Sequence, residues 1–238
     1  MIPMLFFHIH PILIGAAVIP AVILMLYIYR SDRLEREPVG LLVKLALLGV
    51  LATVFAMIGE KLGFFLLRGL NQSSAAYQLL MNFLVVGLCE EGFKFLLLRG
   101  STWNNPNFNC RYDGVVYAVF LSLGFALWEN ISYVFAFGLS AAMIRAVTAI
   151  PGHAAFGVFM GAWYGQAKAQ ERAGNLPRCR FCRRMALLVP VAIHGLYDYI
   201  ALRETDGDTA ALFIVFIAVV FVAAFWTLKR MAKLDRFL

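Results

Sequence analysis

Residues 88–98 read LCEEGFKFLLL, two glutamates and a lysine inside an otherwise apolar run. Glu90 and Lys94 are four apart and Glu91 and Lys94 three apart, so on a helix the ammonium can reach either carboxylate. Two adjacent carboxylates in a low dielectric should not both ionise. Lys94 balances one charge and leaves the other glutamate able to take a proton from water, which is how a general base is made. Further along, FALWEN (125–130) places Glu129 beside Asn130, PGHAAFG (151–157) carries His153, and HGLYD (194–198) sets His194 four residues before Asp198. At that spacing Asp198 can hold the imidazole in one tautomer or share a ligand with it.

The elements that must position these residues follow from composition. The chain has 238 residues, 62% hydrophobic and 15% charged, with a mean hydropathy of +0.77. Soluble domains are nearer half apolar and a quarter charged, so this is a membrane protein. Apolar runs at 5–29, 41–66, 76–98, 114–137, 141–166, 185–202 and 209–228 predict an all-α, polytopic helix bundle of about seven transmembrane helices. There is no internal repeat and no linker, and residues 1–238 read as one domain. The first run has no Lys or Arg before Arg30 and is too long for the apolar core of a signal peptide, so it is expected to stay in place as a span.

Basic residues orient the bundle. Arg30, Arg33 and Arg36 follow the first run, and Arg99 and Arg111 flank the loop after the third. Lys168, Arg172, Arg178, Arg180, Arg183 and Arg184 follow the fifth, and Lys229, Arg230, Lys233 and Arg236 close the chain. The other side holds Arg68, Arg145 and Arg203. The positive-inside rule puts the N-terminus outside and the C-terminus in the cytoplasm of a multi-pass protein of the cell membrane. The net charge of +7 is thus a topology signal and gives no reason to expect nucleic acid. The cytoplasmic basic cluster should hold anionic lipid headgroups.

Lys44, Glu60 and Lys61 lie near helix ends and can snorkel. Glu90, Glu91, Lys94, Glu129 and Asp198 lie too deep for that, and five unpaired charges at such depth would cost roughly 12–17 kcal/mol. They must therefore face one another or water. At about 1.5 Å per residue, His153 and His194 fall near the midplane, with the glutamates and Asp198 within about 5–7 Å of it. Each group alone has a plainer reading: a Glu–Lys pair tying two helices, a histidine or a Glu-Asn pair bonding across an interface. Four helices contributing to one polar layer favour a site.

These motifs resemble a known family. EEGFK (90–94) fits E-E-x-x-K, FALWEN fits F-x-x-x-E-N, and the histidine of PGHAAFG and the H-x-x-x-D of HGLYD follow in order. Upstream, YRSDRLEREP (29–38) is similar to a D-R-x-E-x-E-P signature. Together they resemble the PrsW family of bacterial intramembrane proteases, relatives of the CAAX prenyl endopeptidases. The resemblance implies a polytopic endopeptidase acting on a membrane-anchored protein, with an anti-sigma factor as the substrate of studied members. It also implies catalytic or metal-binding roles for Glu90, Glu91, Glu129, His153 and His194. Both a zinc mechanism and a metal-free glutamate mechanism stay open.

The CAAX relatives have asparagine where Asp198 stands, and an ionised aspartate only accepts hydrogen bonds. That weakens an oxyanion role for Asp198 and suits a metal ligand or an orienter of His194. Two histidines with a carboxylate and an open position for water form a recognised catalytic zinc set, so zinc held by His153, His194, Glu129 and Asp198 is the preferred reading. Asn130 is then the expected oxyanion donor, with Glu90, Glu91 and Lys94 as the acid–base group.

CRFC (179–182) in the basic loop reads as a reduced pair, since a structural metal needs four ligands and only Cys110 is expected on the same side. Cys89 reads as helix packing. His8 and His10 read as interfacial. The segment 29–38 sets Arg30, Arg33 and Arg36 against Asp32, Glu35 and Glu37 and reads as a solvated loop, with Pro38 opening the next helix. The second function the sequence allows is a proton- or ion-coupled transporter, and the third is a silent membrane scaffold. Neither repeated halves nor broken helices, which transporters often show, are visible.

Overall fold

The computed structural model describes residues 11–203 and 207–238. His8, His10, the start of the first expected helix and Asp206 lie outside the described residues. The described chain is helical: α1 (Pro11–Ser31), α2 (Val39–Leu67), α3 (Ala75–Leu79), a π-helix (Leu80–Gly87), α4 (Leu88–Thr102), α5 (Asp113–Phe137), α6 (Leu139–Val147), α7 (Ala149–Arg172), α8 (Leu176–Ala201) and α9 (Gly207–Lys233). Among the described residues, five stretches are long and apolar enough to cross a membrane: 13–31, 39–67, 113–137, 139–172 and 208–233. The run 75–102 and α8 have spanning length and carry most of the charged motifs.

Helix α5 is the axis of the bundle, with residues 113–126 all buried. Alpha-helices approach this closely in a bilayer only where small residues line the seam. A Cβ on Gly49 of α2 would collide with the Leu121 carbonyl of α5, and one on Gly124 with the Ala46 carbonyl. On the other flank, Gly157, Gly161 and Gly165 of α7 repeat every four residues; the first two lie against α5 at Val119 and Gly114, and the third against Arg111 just before it. These two seams clamp α5 between α2 and α7.

Three local features depart from the sequence expectation. The fifth apolar run breaks at Thr148 (φ −117°, ψ −74°) into the short α6 and the long α7. Helix α8 begins at Leu176, capped by the Asn175 side chain, so CRFC lies in its first turns with Cys179 and Cys182 buried. The third helix contains eight residues of π-helix, Leu80–Gly87.

The segment 29–38 corrects a further expectation: Asp32 and Glu37 are not solvated but 1% and 4% exposed. Asp32 lies near Asp235 of the C-terminal segment, whose Oδ1 accepts from the Tyr112 amide at 2.9 Å, and the Leu238 amide donates to the Asn109 carbonyl at 2.7 Å. Burial pushes the Asp32 carboxyl up to about 6, helped by the charges of Asp235 and Glu35, and that of Glu37 up to about 7, helped by the charges of Asp32 and Glu35. Pro38 does cap α2.

Candidate active site

The π-helix delivers the paired glutamates to α8. Gly87 packs on the Val191 carbonyl and the Gly195 amide, where an added Cβ would come within 3.2 and 3.5 Å. Gly195 in turn leaves room for the Phe83 ring, which a Cβ there would meet at 2.7 Å. This close seam sets Glu91 against His194, the residue before Gly195.

The Lys94 ammonium is 0% exposed and 2.7 Å from Glu91 Oε1, 3.2 Å from Glu90 Oε2 and 3.2 Å from His153 Nδ1. It also lies 3.8 Å from the centre of the Phe125 ring. An ammonium only donates, so His153 Nδ1 accepts and its proton sits on Nε2. Nε2 then donates to Glu129 Oε2 at 2.9 Å. For His194 the assignment is reversed. Nδ1 lies 2.9 Å from Glu91 Oε1, a carboxylate that accepts, so Nδ1 carries the proton. His194 Nε2 turns toward Glu90 Oε2 at 3.9 Å and Asp198 Oδ2 at 3.5 Å. The two imidazoles stand edge to face with centroids 5.4 Å apart, and Phe156 stacks on His194 at 4.7 Å.

These groups open on one cavity of 460 Å³. Glu90, Glu129, His153, His194 and Asp198 line it, whereas Glu91 and Lys94 lie behind the wall with no exposed surface. Tyr133, Phe156, Tyr197 and Phe213 supply the apolar part. The groups expected at one depth thus meet around one cavity. Asn130 is the member that does not reach it: its Nδ2 donates to the Ala17 carbonyl at 3.0 Å, its Oδ1 accepts from Arg145, and it is 0% exposed. With both ends engaged away from the cavity, it is not placed as an oxyanion donor.

Three lining residues escaped the sequence reading. Glu60 of α2 faces the cavity instead of snorkelling, Asn82 comes from the π-helix, and Arg145 of α6 closes on Glu129 at 2.8 Å. Depth hinted at Glu60, about 10 Å from the middle of its run. Nothing local marks Asn82 or Arg145.

Comparison with known proteins adds the family. The profile described as "PrsW family intramembrane metalloprotease" matches residues 37–225. The chain belongs to the PrsW family. It is 33% identical to protease PrsW of Clostridioides difficile (strain 630) over 227 residues, covering 93% of this chain and 90% of that protein. Protease PrsW of Geobacillus kaustophilus (strain HTA426) is 33% identical over 93% of the chain and 91% of its own length. The Bacillus subtilis (strain 168) protease PrsW is 32% identical over 79% and 82%. No solved structure matches. A PrsW family member is an intramembrane peptidase, a multi-pass membrane enzyme acting on a protein substrate, and the ion-coupled transporter is not favoured.

The residues present suit a metal. Glu90, Glu91, His153 and His194 each offer one ligand atom, all within 4.8 Å of one another. Two imidazoles and two carboxylates are a donor set for zinc. Glu129 and Asp198, expected as ligands, instead stand one step out, on the Nε2 atoms of His153 and His194. Such carboxylates orient metal-binding imidazoles.

Proposed function

We propose that this chain hydrolyses a peptide bond of a membrane-anchored protein at the cavity, with Glu90 as the base that takes a proton from the attacking water. What supports this assignment is the difference between the paired glutamates. Glu91 is fully enclosed and holds Lys94 and His194 through one oxygen, whereas Glu90 lines the cavity and has the longer contact to Lys94. Glu91 and Lys94 thus form the buried support, and Glu90 keeps a carboxylate edge for water.

His194 Nε2 points into the same space. With Nδ1–H held by Glu91, a second proton on Nε2 makes the imidazolium that hands this proton to the leaving amine, and the proton Glu90 removes from water replaces it. Asp198 steadies that nitrogen. His153, bound on both ring nitrogens, is an orienting group in this arrangement. The apolar rings around the cavity exclude bulk water, which strengthens each of these electrostatic contacts.

Among the four grouped donors Glu90, Glu91, His153 and His194, zinc, the preferred cofactor, would be held by His153, His194 and Glu91, which leaves Glu90 as the base. When bound, it would supply Lewis acidity toward water and the scissile carbonyl. One observation favours the second reading, a metal-free glutamate mechanism: the Lys94 ammonium already touches three of those four groups.

The bundle has seven spans, formed by the five apolar stretches together with the run 75–102 and α8. Its N-terminus is outside, its C-terminus is cytoplasmic, and the basic face at 168–184 rests on anionic headgroups. An anti-sigma factor is the substrate class that the family resemblance suggests. The test is a comparison of membrane proteomes from cells with and without the gene. A membrane-anchored protein that accumulates uncut in the deletion, and is restored by the wild type, supports the reading. No difference in any membrane-anchored protein contradicts it.

A further inference from the structure

Arg145 sits on α6, the nine-residue helix set between the Gly138 turn and the Thr148 break. Its guanidinium makes three contacts at once. Nη2 lies 2.8 Å from Glu129 Oε2, an ion pair too oblique to count as a hydrogen bond. Nε donates to Asn130 Oδ1 at 3.1 Å, and the guanidinium carbon lies 3.9 Å from the centre of the Tyr133 ring. Asn130 is itself anchored to α1 through the Ala17 carbonyl. Glu129 and Asn130 are neighbours in sequence and so diverge by about 100° around a helix of 3.6 residues per turn. A planar fork can bridge both, and a single ammonium cannot do so with the same geometry.

The oxygen that Arg145 holds is the one that accepts from His153 Nε2 at 2.9 Å. The chain of contacts therefore runs from α6 through Arg145 and Glu129 to the imidazole, and its far side is closed by Lys94 on Nδ1. Without the guanidinium, the Glu129 carboxylate loses its partner from α6 and is free to turn away from the ring. That change removes the fixed acceptor for Nε2–H.

We propose that Arg145 is a positioning residue of the site: by pairing with Glu129 it holds the acceptor for His153 Nε2–H, and with it the orientation of the ring, without touching the reacting atoms. This rests on the peptidase reading, and one arm of its test does not need cleavage. The variants are Arg145→Gln, close in shape without the charge, and Arg145→Lys, which keeps the charge and loses the fork. One arm is steady-state cleavage, normalised to folded protein. The other is nitrogen NMR of histidine-labelled protein, with the His153 signal among the four histidines assigned by a His153→Gln control.

In Arg145→Gln, kcat should fall roughly 10–100-fold, as for other carboxylate–histidine supports, with KM within about twofold. The His153 Nε2–H resonance, hydrogen-bonded to Glu129 in the wild type, should move upfield and exchange faster with solvent. Arg145→Lys should recover part of both. An unchanged His153 Nε2–H resonance in Arg145→Gln overturns the proposal, as does a loss of activity that only tracks the loss of folded protein. If the wild type cleaves nothing, the peptidase reading fails by itself, and the NMR arm still decides whether Arg145 governs His153.

Discussion

Lys94 Nζ and Glu91 Oε1 stand 2.7 Å apart with neither side chain exposed, and the same carboxylate oxygen takes His194 Nδ1 at 2.9 Å. Glu91 is thus the central support of the site, with the ammonium on one side and the imidazole on the other. Breaking such a pair from one end leaves a buried charge without a partner, and that costs more than the pair itself contributes.

Lys94→Met should lower unfolding free energy by about 3–5 kcal/mol, read by denaturant unfolding in detergent. Adding Glu91→Gln to it should recover part of the loss, because the second change removes the stranded carboxylate. A Lys94→Met protein as stable as the wild type would show that the charge is balanced by something other than this lysine.

The segment between α1 and α2 predicts a pH dependence. Asp32 and Glu37 are raised from 3.8 to about 6 and from 4.5 to about 7, with burial as the largest cause. The folded state therefore binds more protons than the unfolded chain between about pH 4 and 7. Their contribution to stability is fully present below about pH 4 and is lost as pH rises through 6 to 7. Asp32→Asn and Glu37→Gln should raise the melting temperature relative to wild type at pH 8, with a smaller gain at pH 5. A larger gain at pH 5 than at pH 8 would reverse the sign of this account.

How far the sequence disclosed the site depends on whether the contact is local. Glu90, Glu91 and Lys94 could be paired on paper because three- and four-residue spacings meet on any helix. His194 and Asp198 are legible for the same reason, and the convergence of four helices followed from their shared depth. Arg145 was not legible, since its partner Glu129 is 16 residues away across the Gly138 turn, and an arginine near the start of an apolar run counts only toward topology. The π-helix and the break at Thr148 leave no periodic trace in the sequence. Asn130 misled because an amide beside a catalytic-looking glutamate points to a different face of the helix.

Orientation is open to labelling. With the four native cysteines replaced by serine, a cysteine at Asn71 should react with an impermeant maleimide in intact cells. One at Asn175 should react only after the membrane is opened, since both positions are exposed at opposite ends of the bundle. Labelling of Asn175 from outside would invert the topology and the side from which water reaches the cavity.

Metal dependence separates the two chemistries. If His153 and His194 hold zinc, His153→Ala and His194→Ala protein should each lose stoichiometric zinc while staying folded, and 1,10-phenanthroline should stop cleavage by the wild type. Purified enzyme that is fully active without metal would instead establish the glutamate mechanism.

The most direct measurement compares Glu90→Gln with Glu91→Gln, each reconstituted in vesicles with the membrane-anchored substrate that the proteome comparison identifies. Glu90→Gln should cut roughly 10²–10⁴-fold more slowly at unchanged thermal stability, because it removes the base and little support. Glu91→Gln should lose stability along with activity. Wild-type cleavage by Glu90→Gln would contradict the assignment of Glu90 as the group that activates water.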